Sequence, residues 1–132
     1  MKSILFTAIL AISLSSCAQS NEQTPGTTAK HVNVSEFAQF KTRQEAQLLD
    51  VRTPGEFAQG HIPGAVNYNV NDAGFMKNAE TLDKNKPVYV YCRSGARSSN
   101  AMNQLKKAGF KEVYNLQGGI MAWGSDGREV SK

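Results

Sequence analysis

The chain has 132 residues, of which 40% are hydrophobic and 20% are charged, and its formal net charge is +4. This length allows one globular domain with a single core. The modest basic excess forms no lysine or arginine block interleaved with aromatic residues, which argues against a nucleic-acid partner and suits a small anion better.

The first seventeen residues have the pattern of a secretory signal that ends in a lipid-attachment site. Lys2 gives a short basic start, and residues 4–14 are apolar apart from two hydroxyl side chains. This run is too short to span a bilayer, which needs about 20 residues, but it suits the hydrophobic part of a signal peptide. The string LSSC at residues 14–17 then resembles the bacterial lipobox. The resemblance implies cleavage before Cys17 and lipidation of its sulfur.

We therefore predict a signal peptide at residues 1–16 and a lipidated cysteine with a flexible tether at residues 17–29. Two or three acyl chains, such as palmitate, would anchor the protein to a membrane of the bacterial cell envelope, with its domain in the periplasm. Ala18 replaces the aspartate that marks inner-membrane retention in some bacteria, which slightly favours the outer membrane. A plain secretory signal with a chance cysteine is the alternative.

The tether is predicted from composition, because residues 18–29 contain no large apolar side chain and include Pro25-Gly26. A flexible chain of this length has an end-to-end distance of roughly 20 Å. The folded domain is predicted to occupy residues 30–132.

Within that domain, short apolar segments alternate with segments of helical spacing. Strands are predicted at residues 31–34, 48–51, 65–68, 88–91 and 112–115. Helices are predicted to begin at the caps Ser35, Thr53 and Asp72, to run over residues 98–108, and to open at Gly118. The alternation predicts an α/β fold with a mostly parallel sheet covered by helices on both faces. Ligands of such folds lie outside the carboxyl ends of the strands.

Cys92 follows the strand predicted at residues 88–91, in a tight loop that leads into a helix. Loop N–H groups, the positive end of the helix, and the side chains of Arg93 and Arg97 would all favour thiolate over thiol. If Cys17 is lipidated, the mature chain has no second cysteine for an internal disulfide. The sequence therefore predicts a nucleophilic Cys92.

Four motifs occur in order over residues 32–130. They are LDVRTPGEF at 49–57, GHIPGAVN at 60–67, CRSGARS at 92–98, and a Gly-Gly pair before Trp123. In this order and spacing they resemble the single-domain rhodaneses, the sulfurtransferase family that carries sulfane sulfur on a cysteine. The resemblance implies an α/β/α sandwich whose five-stranded parallel sheet has the order 3-2-4-5-1.

The resemblance also implies a mechanism. Cys92 takes sulfur from a small anionic donor such as thiosulfate or a persulfide, and passes it from a Cys92 persulfide to cyanide or a thiol. No cofactor and no metal are expected. The loop that follows the cysteine would bind the donor and the persulfide through Arg93, Ser94, Gly95, Ala96, Arg97 and Ser98.

Two further polar residues lie outside this loop. Asp50 ends the second predicted strand at the same sheet edge, so it could pair with Arg93, Arg97 or Arg52, or be held by backbone N–H groups. His61 lies in a Gly-His-Ile-Pro-Gly turn with no second ligand at metal-binding spacing, so we expect it to organise the turn.

Three other functions fit parts of the pattern. Some phosphatases of this fold use a Cys-x5-Arg loop, whereas the spacing from Cys92 to Arg97 is Cys-x4-Arg, and no acidic residue follows within the loop to act as a general acid. A non-catalytic rhodanese-like binding module usually loses the cysteine that this chain keeps. A redox-sensing thiol would have no second mature cysteine to resolve it.

Overall fold

The computed structural model describes residues 26–132. The predicted signal peptide, Cys17 and most of the tether lie outside the described residues. From residue 26 to the end of the sequence, no helix combines the length and the apolar character needed to cross a membrane.

Five parallel strands form one sheet in the order β1-β5-β4-β2-β3. Read from the other edge, this is the order 3-2-4-5-1 that the resemblance implies, and the prediction is confirmed. The strands are Thr28–Val32 (β1), Gln47–Asp50 (β2), Val66–Asn67 (β3), Val88–Tyr91 (β4) and Glu112–Leu116 (β5).

Helices cover both faces of the sheet, as predicted. They are Val34–Phe37 (α1), which continues as a short 3-10 turn at Ala38–Lys41, Pro54–Gln59 (α2), Phe75–Ala79 (α3), Ala96–Lys107 (α4) and Gly119–Ser125 (α5). Alternate side chains of β4 point to opposite faces, as the pleat of a strand requires. Val88 and Val90 pack with α3 and α4, whereas Tyr89 and Tyr91 pack with α1 and α5 around buried Trp123.

The amino-terminal boundary differs from the prediction. β1 begins at Thr28, whose N–H donates to the Lys111 carbonyl at 2.7 Å, so Thr28 and Ala29 belong to the sheet and not to the tether. The composition of residues 18–29 did not indicate a strand at Thr28 and Ala29, because an edge strand can be held by backbone hydrogen bonds alone. The first helix is capped by Asn33, whose side chain accepts from the Glu36 N–H at 2.9 Å, and not by Ser35.

Two further helices begin at different residues from those expected. Asp72 does not cap α3; its carboxylate accepts from the Gly74 N–H at 3.0 Å in a turn that precedes the helix. α4 begins at Ala96, two residues early, because Gly95 supplies the left-handed conformation before its first turn. By contrast, Thr53 caps α2 as predicted, accepting from the Glu56 N–H at 3.2 Å.

Candidate active site

Cys92 directly follows β4, which lies between β5 and β2 in the sheet. The residue is only 1% exposed. Its Sγ accepts hydrogen bonds from the Gly95 N–H at 3.0 Å and from the Ser98 hydroxyl at 3.3 Å. Gly95 has a φ of 105°, a conformation that favours glycine, and this turns the loop back over the sulfur. The sulfur therefore accepts hydrogen bonds from one backbone N–H and one hydroxyl.

The hydrogen-bond donors around Cys92 favour the thiolate over the thiol. Burial of the Cys92 thiol opposes ionisation, but the hydroxyl and N–H of Ser98 and the N–H groups of Gly95 and Ser94 outweigh it and lower the thiol pKa. Ser98 is itself fully buried. The site can thus hold a thiolate.

The amino-terminal turn of α5 holds the start of this loop. The Ile120 N–H donates to the Cys92 carbonyl at 2.9 Å, and the Met121 N–H donates to the Arg93 carbonyl at 3.2 Å. A Cβ on Gly119 would lie 2.3 Å from the Arg93 carbonyl oxygen, so only glycine allows this approach. These two hydrogen bonds fix the carbonyls at the start of the loop against α5. The sequence identified the Gly-Gly pair only as part of a motif.

Asn115 is a second loop support that the sequence analysis missed. It is 2% exposed on β5, and its amide Nδ2 donates to the Gly95 carbonyl at 3.3 Å. Because β5 lies beside β4, this contact ties the middle of the loop to the sheet. An isolated polar residue in a strand gives no sequence signal for such a role.

Arg97 lies in the first turn of α4, where its guanidinium makes a bidentate ion pair with Glu56 of α2. The two N–O distances are 2.8 Å and 2.9 Å. Hydrogen bonding to Arg97 is the main reason that the pKa of Glu56 falls to about 2. The sequence assigned Glu56 only to the helix cap, whereas its carboxylate also neutralises one of the two loop arginines.

Asp50 pairs with Arg52 and with neither loop arginine. The carboxylate is fully buried, Arg52 Nη2 lies 2.6 Å from it, and the Arg52 N–H donates to it at 2.9 Å. Arg52 Nη2 also donates to the Gly60 carbonyl at 2.6 Å, which joins the end of β2 to the end of α2. Both alternatives considered for Asp50, an arginine partner and backbone contacts, therefore hold at once.

Arg93 has no carboxylate partner among residues 26–132. Its Nε donates to the Met121 sulfur at 3.5 Å. The side chain lines a groove of about 370 Å³ together with Arg52, Glu56 and Ile120 from the strand ends and helices, and Val130 from the C-terminal segment. Ser94 and Ala96 are also exposed on the loop.

His61 organises the turn after α2. Its ring stacks on Phe57 at 3.8 Å, and its Nδ1 lies 3.1 Å from the Phe57 carbonyl. Its backbone pairs with Ser131, which brings the C-terminal segment against α2. No group of three metal-ligating side chains forms within the described part of the chain.

The chain is similar to known proteins over most of its folded domain. The sequence profile of the rhodanese-like domain matches residues 33–126. The chain is 39% identical over 95 residues to the thiosulfate sulfurtransferase GlpE of Shewanella oneidensis, covering 71% of this chain and 91% of that protein. It is 47% identical over 81 residues to the protein YqhL of Bacillus subtilis, covering 61% of this chain and 63% of that one. Among solved structures, a rhodanese-like domain protein from Staphylococcus aureus superimposes with a TM-score of 0.66 at 30% identity, covering 78% and 99% of the two chains.

Proposed function

Because the chain belongs to the rhodanese-like domain family, we propose that it is a sulfurtransferase that carries sulfane sulfur on Cys92. The donor is thiosulfate or another small anionic sulfur compound, and the acceptor is cyanide or a thiol. The observation that carries the proposal is the buried Cys92 sulfur, which is surrounded by the donors of Gly95 and Ser98.

The reaction has two displacement steps. In the first, the Cys92 thiolate attacks the outer sulfur of thiosulfate, the S–S bond of the donor breaks, and sulfite leaves with the electron pair. In the second, cyanide attacks the outer sulfur of the Cys92 persulfide, thiocyanate leaves, and the thiolate is regenerated. Each intermediate carries one negative charge, on the Cys92 sulfur in the thiolate and on the outer sulfur in the persulfide, and the N–H groups of the loop are the nearby dipoles that can stabilise it.

The charge state of the nearby carboxylates favours sulfur transfer over phosphate hydrolysis. A phosphatase of this kind needs a protonated acid to assist its leaving group. Glu56, the carboxylate that lines the groove, has its pKa lowered to about 2 through its pairing with Arg97, so it stays ionised at neutral pH. Asp50 is fully buried against Arg52. Sulfur transfer requires no such acid, because sulfite and thiolate leave as anions.

The test is thiocyanate formation from thiosulfate and cyanide, run beside hydrolysis of p-nitrophenyl phosphate. We expect thiocyanate formation that is lost in Cys92→Ser, kept in the α4 surface variant Asn100→Ala, and no phosphatase activity. Activity that survives in Cys92→Ser would refute the assignment. A protein that neither forms thiocyanate nor accepts sulfur on Cys92 would instead be a binding module.

We also propose that Cys17 is lipidated and that the domain is held in the cell envelope. The motif LSSC after an apolar run supports this, as does the position of Thr28, eleven residues further on, at the start of the folded domain. Mass spectrometry of the mature protein from bacterial membranes should find an acylated N-terminal Cys17. An unmodified N-terminus on a protein recovered in the soluble fraction would contradict the proposal.

A further inference from the structure

A chain of hydrogen bonds leads from the surface of β1 to the loop that holds Cys92. His31 of β1 lies directly opposite Asn115 of β5 in the sheet. The Asn115 Nδ2 lies 3.0 Å from the His31 Nδ1 and 3.3 Å from the Gly95 carbonyl oxygen. His31 is exposed, whereas Asn115 is buried. The amide of Asn115 therefore connects a solvent-facing imidazole to the active-site loop.

The contacts of the Asn115 amide fix where its hydrogens point. An amide nitrogen only donates, so one hydrogen of Nδ2 goes to the Gly95 carbonyl and the other to the His31 Nδ1. The His31 Nδ1 accepts that hydrogen only while it carries no proton of its own. The Asn115 Oδ1 is buried and accepts no hydrogen bond from residues 26–132. If the amide turned over, Oδ1 would face the Gly95 carbonyl oxygen, and two acceptors would oppose each other.

The Gly95 carbonyl and the Cys92 sulfur compete for one hydrogen. The Ser98 hydroxyl lies 3.2 Å from that carbonyl oxygen and 3.3 Å from the Cys92 Sγ, and it has a single hydrogen to donate. The carbonyl oxygen has two lone pairs, and the Ser99 N–H occupies one of them at 3.0 Å. Because Asn115 donates to the other, the hydrogen of Ser98 is left for the sulfur. Without the Asn115 donor, the carbonyl would take that hydrogen from the sulfur.

We propose that His31 and Asn115 are positioning residues through which the protonation of His31 sets the reactivity of Cys92. With neutral His31, the Asn115 amide satisfies the Gly95 carbonyl. A proton on the His31 Nδ1 turns this acceptor into a donor, and the Asn115 amide then turns over to offer its Oδ1. The Gly95 carbonyl, left without its donor, draws the Ser98 hydrogen away from the sulfur. The proposal rests on the proposed function and assigns to the same site a regulation by pH.

The charged groups around His31 leave this contact as its route to the loop. Between residues 26 and 132, no carboxylate lies within ion-pair distance of His31. β5 and α4 pack against β1. The other charged or titratable side chains of these elements and of the loop point to the opposite face of the sheet, contact another side chain, or lie at the far end of α4. They are Lys30 of β1, Glu112 and Tyr114 of β5, Arg93 of the loop, and Arg97, Lys106 and Lys107 of α4.

A direct attraction between protonated His31 and the Cys92 thiolate would act in the opposite sense. It would stabilise the thiolate as the pH falls, whereas loss of the Ser98 hydrogen bond destabilises it. Water and salt screen the charge of the exposed imidazole. The sign of the change in Cys92 reactivity therefore distinguishes the two effects.

The first experiment measures the rate of persulfide formation on Cys92 from thiosulfate between about pH 5 and 8, the range in which histidine ordinarily titrates. Sulfite release in a single turnover is followed without cyanide, because cyanide changes its own protonation with pH. His31→Gln keeps an acceptor for Asn115 but takes up no proton. It should match the unaltered protein near pH 8 and be about threefold to tenfold faster near pH 5.5, the effect of one hydrogen bond. Equal rates at both pH values, or a slower His31→Gln near pH 5.5, would overturn the inference.

Three further variants test the role of the amide. Lys30→Gln removes a cation from the same strand on the opposite face, and as the matched control it should keep the pH profile of the unaltered protein. His31→Lys places a permanent donor opposite Asn115 and should slow the reaction about threefold to tenfold near pH 8. In Asn115→Ala, the same change at His31 should have no further effect. A loss of equal size in that background would contradict the role of Asn115.

An NMR titration tests the hydrogen-bond chain without sulfur transfer. In proton–nitrogen correlation spectra of Cys92→Ser, which has no thiol to titrate, the side-chain NH2 of Asn115 and the N–H of Gly95 should shift with the same midpoint as the ring of His31. In the double variant with His31→Gln they should not shift. Signals that stay constant while His31 titrates would overturn the inference. Signals that titrate with His31 in a protein whose Cys92 takes up no sulfur at any pH would mean that the proposed function fails and the coupling stands.

Discussion

The ends of β2 and β4 lie side by side, but their polar groups have different partners. Asp50 is in register with Tyr91, so the turn after each strand opens at the same edge of the sheet. After β2, the Arg52 side chain and N–H are engaged by Asp50 and Gly60. After β4, the loop donors converge on the sulfur of Cys92.

This difference separates a structural role from a chemical role at the carboxyl end of the sheet. The end of β2 holds a buried ion pair whose hydrogen-bonding groups are taken up by Asp50 and the Gly60 carbonyl. The end of β4 keeps a set of fixed dipoles around an atom that can change its bonding partner, which is the arrangement that electrostatic stabilisation of an anion requires. The Glu56–Arg97 pair connects the two, since it joins α2, which follows β2, to α4, which follows β4.

The largest effect is expected from a substitution at the start of α5 that displaces the loop after β4. In Gly119→Ala, the new Cβ would clash with the Arg93 and Cys92 carbonyls at 2.3–2.5 Å, so the loop must shift. We expect a loss of about 3 kcal/mol or more in unfolding free energy, together with at least a hundredfold loss of sulfur transfer. Denaturant unfolding and the thiocyanate assay measure both.

Gly124→Ala is the matched control in the same helix, because a Cβ at Gly124 meets nothing within 4 Å. We expect its stability to stay the same or rise by up to about 1 kcal/mol. Equal behaviour of the two variants would show that α5 does not hold the loop.

The second largest effect is expected from breaking the buried Asp50–Arg52 ion pair after β2. Asp50→Asn keeps the shape of the side chain but leaves the charge of Arg52 buried without a counter-charge, and we expect a loss of about 3 kcal/mol in unfolding free energy. Asp126→Asn removes the exposed partner of Arg128 and should cost about 0.5 kcal/mol or less. Denaturant unfolding measures both losses. Similar losses for the two variants would mean that the Asp50–Arg52 pair matters no more to stability than an exposed ion pair.

The smallest effect concerns the pKa of Cys92. The Ser98 hydroxyl lowers it, so in Ser98→Ala the pKa rises and a smaller fraction of the sulfur is thiolate at a given pH. The alkaline rise of the iodoacetamide reaction rate should therefore move to higher pH, with little change in the rate of the fully ionised form. Because a threonine hydroxyl can replace that of serine, Ser98→Thr should move the profile less. An unchanged profile in Ser98→Ala would show that the hydroxyl does not stabilise the thiolate.

The parts of the fold that the sequence predicted are those with a local cause. β4 follows from a run of β-branched and aromatic residues, and the start of α2 follows from Thr53 and Pro54. The order of the strands came from the resemblance of motifs and not from local pattern. The cap of the first helix was misplaced because Asn33 and Ser35 are both good caps, and only the backbone decides between them.

What the sequence missed at the site depends on contacts between distant residues. Glu56 and Arg97 are 41 positions apart. The capping box of α2 alone was enough to explain a glutamate at position 56. Asn115 and Gly119 act on the loop through elements that follow it in the chain, which no spacing rule reveals. Arg93 and Arg97 were both expected to bind the donor, and the pairing of Arg97 with Glu56 has no signal in the local sequence.

The central claim, that Cys92 accepts one sulfur atom, is tested most directly by the intact mass of the purified protein after incubation with thiosulfate. The account predicts a mass increase of one sulfur atom that maps to the peptide containing Cys92, disappears on addition of cyanide, and is absent in Cys92→Ser. An unchanged mass after thiosulfate, or an added sulfur that persists in Cys92→Ser, would contradict it.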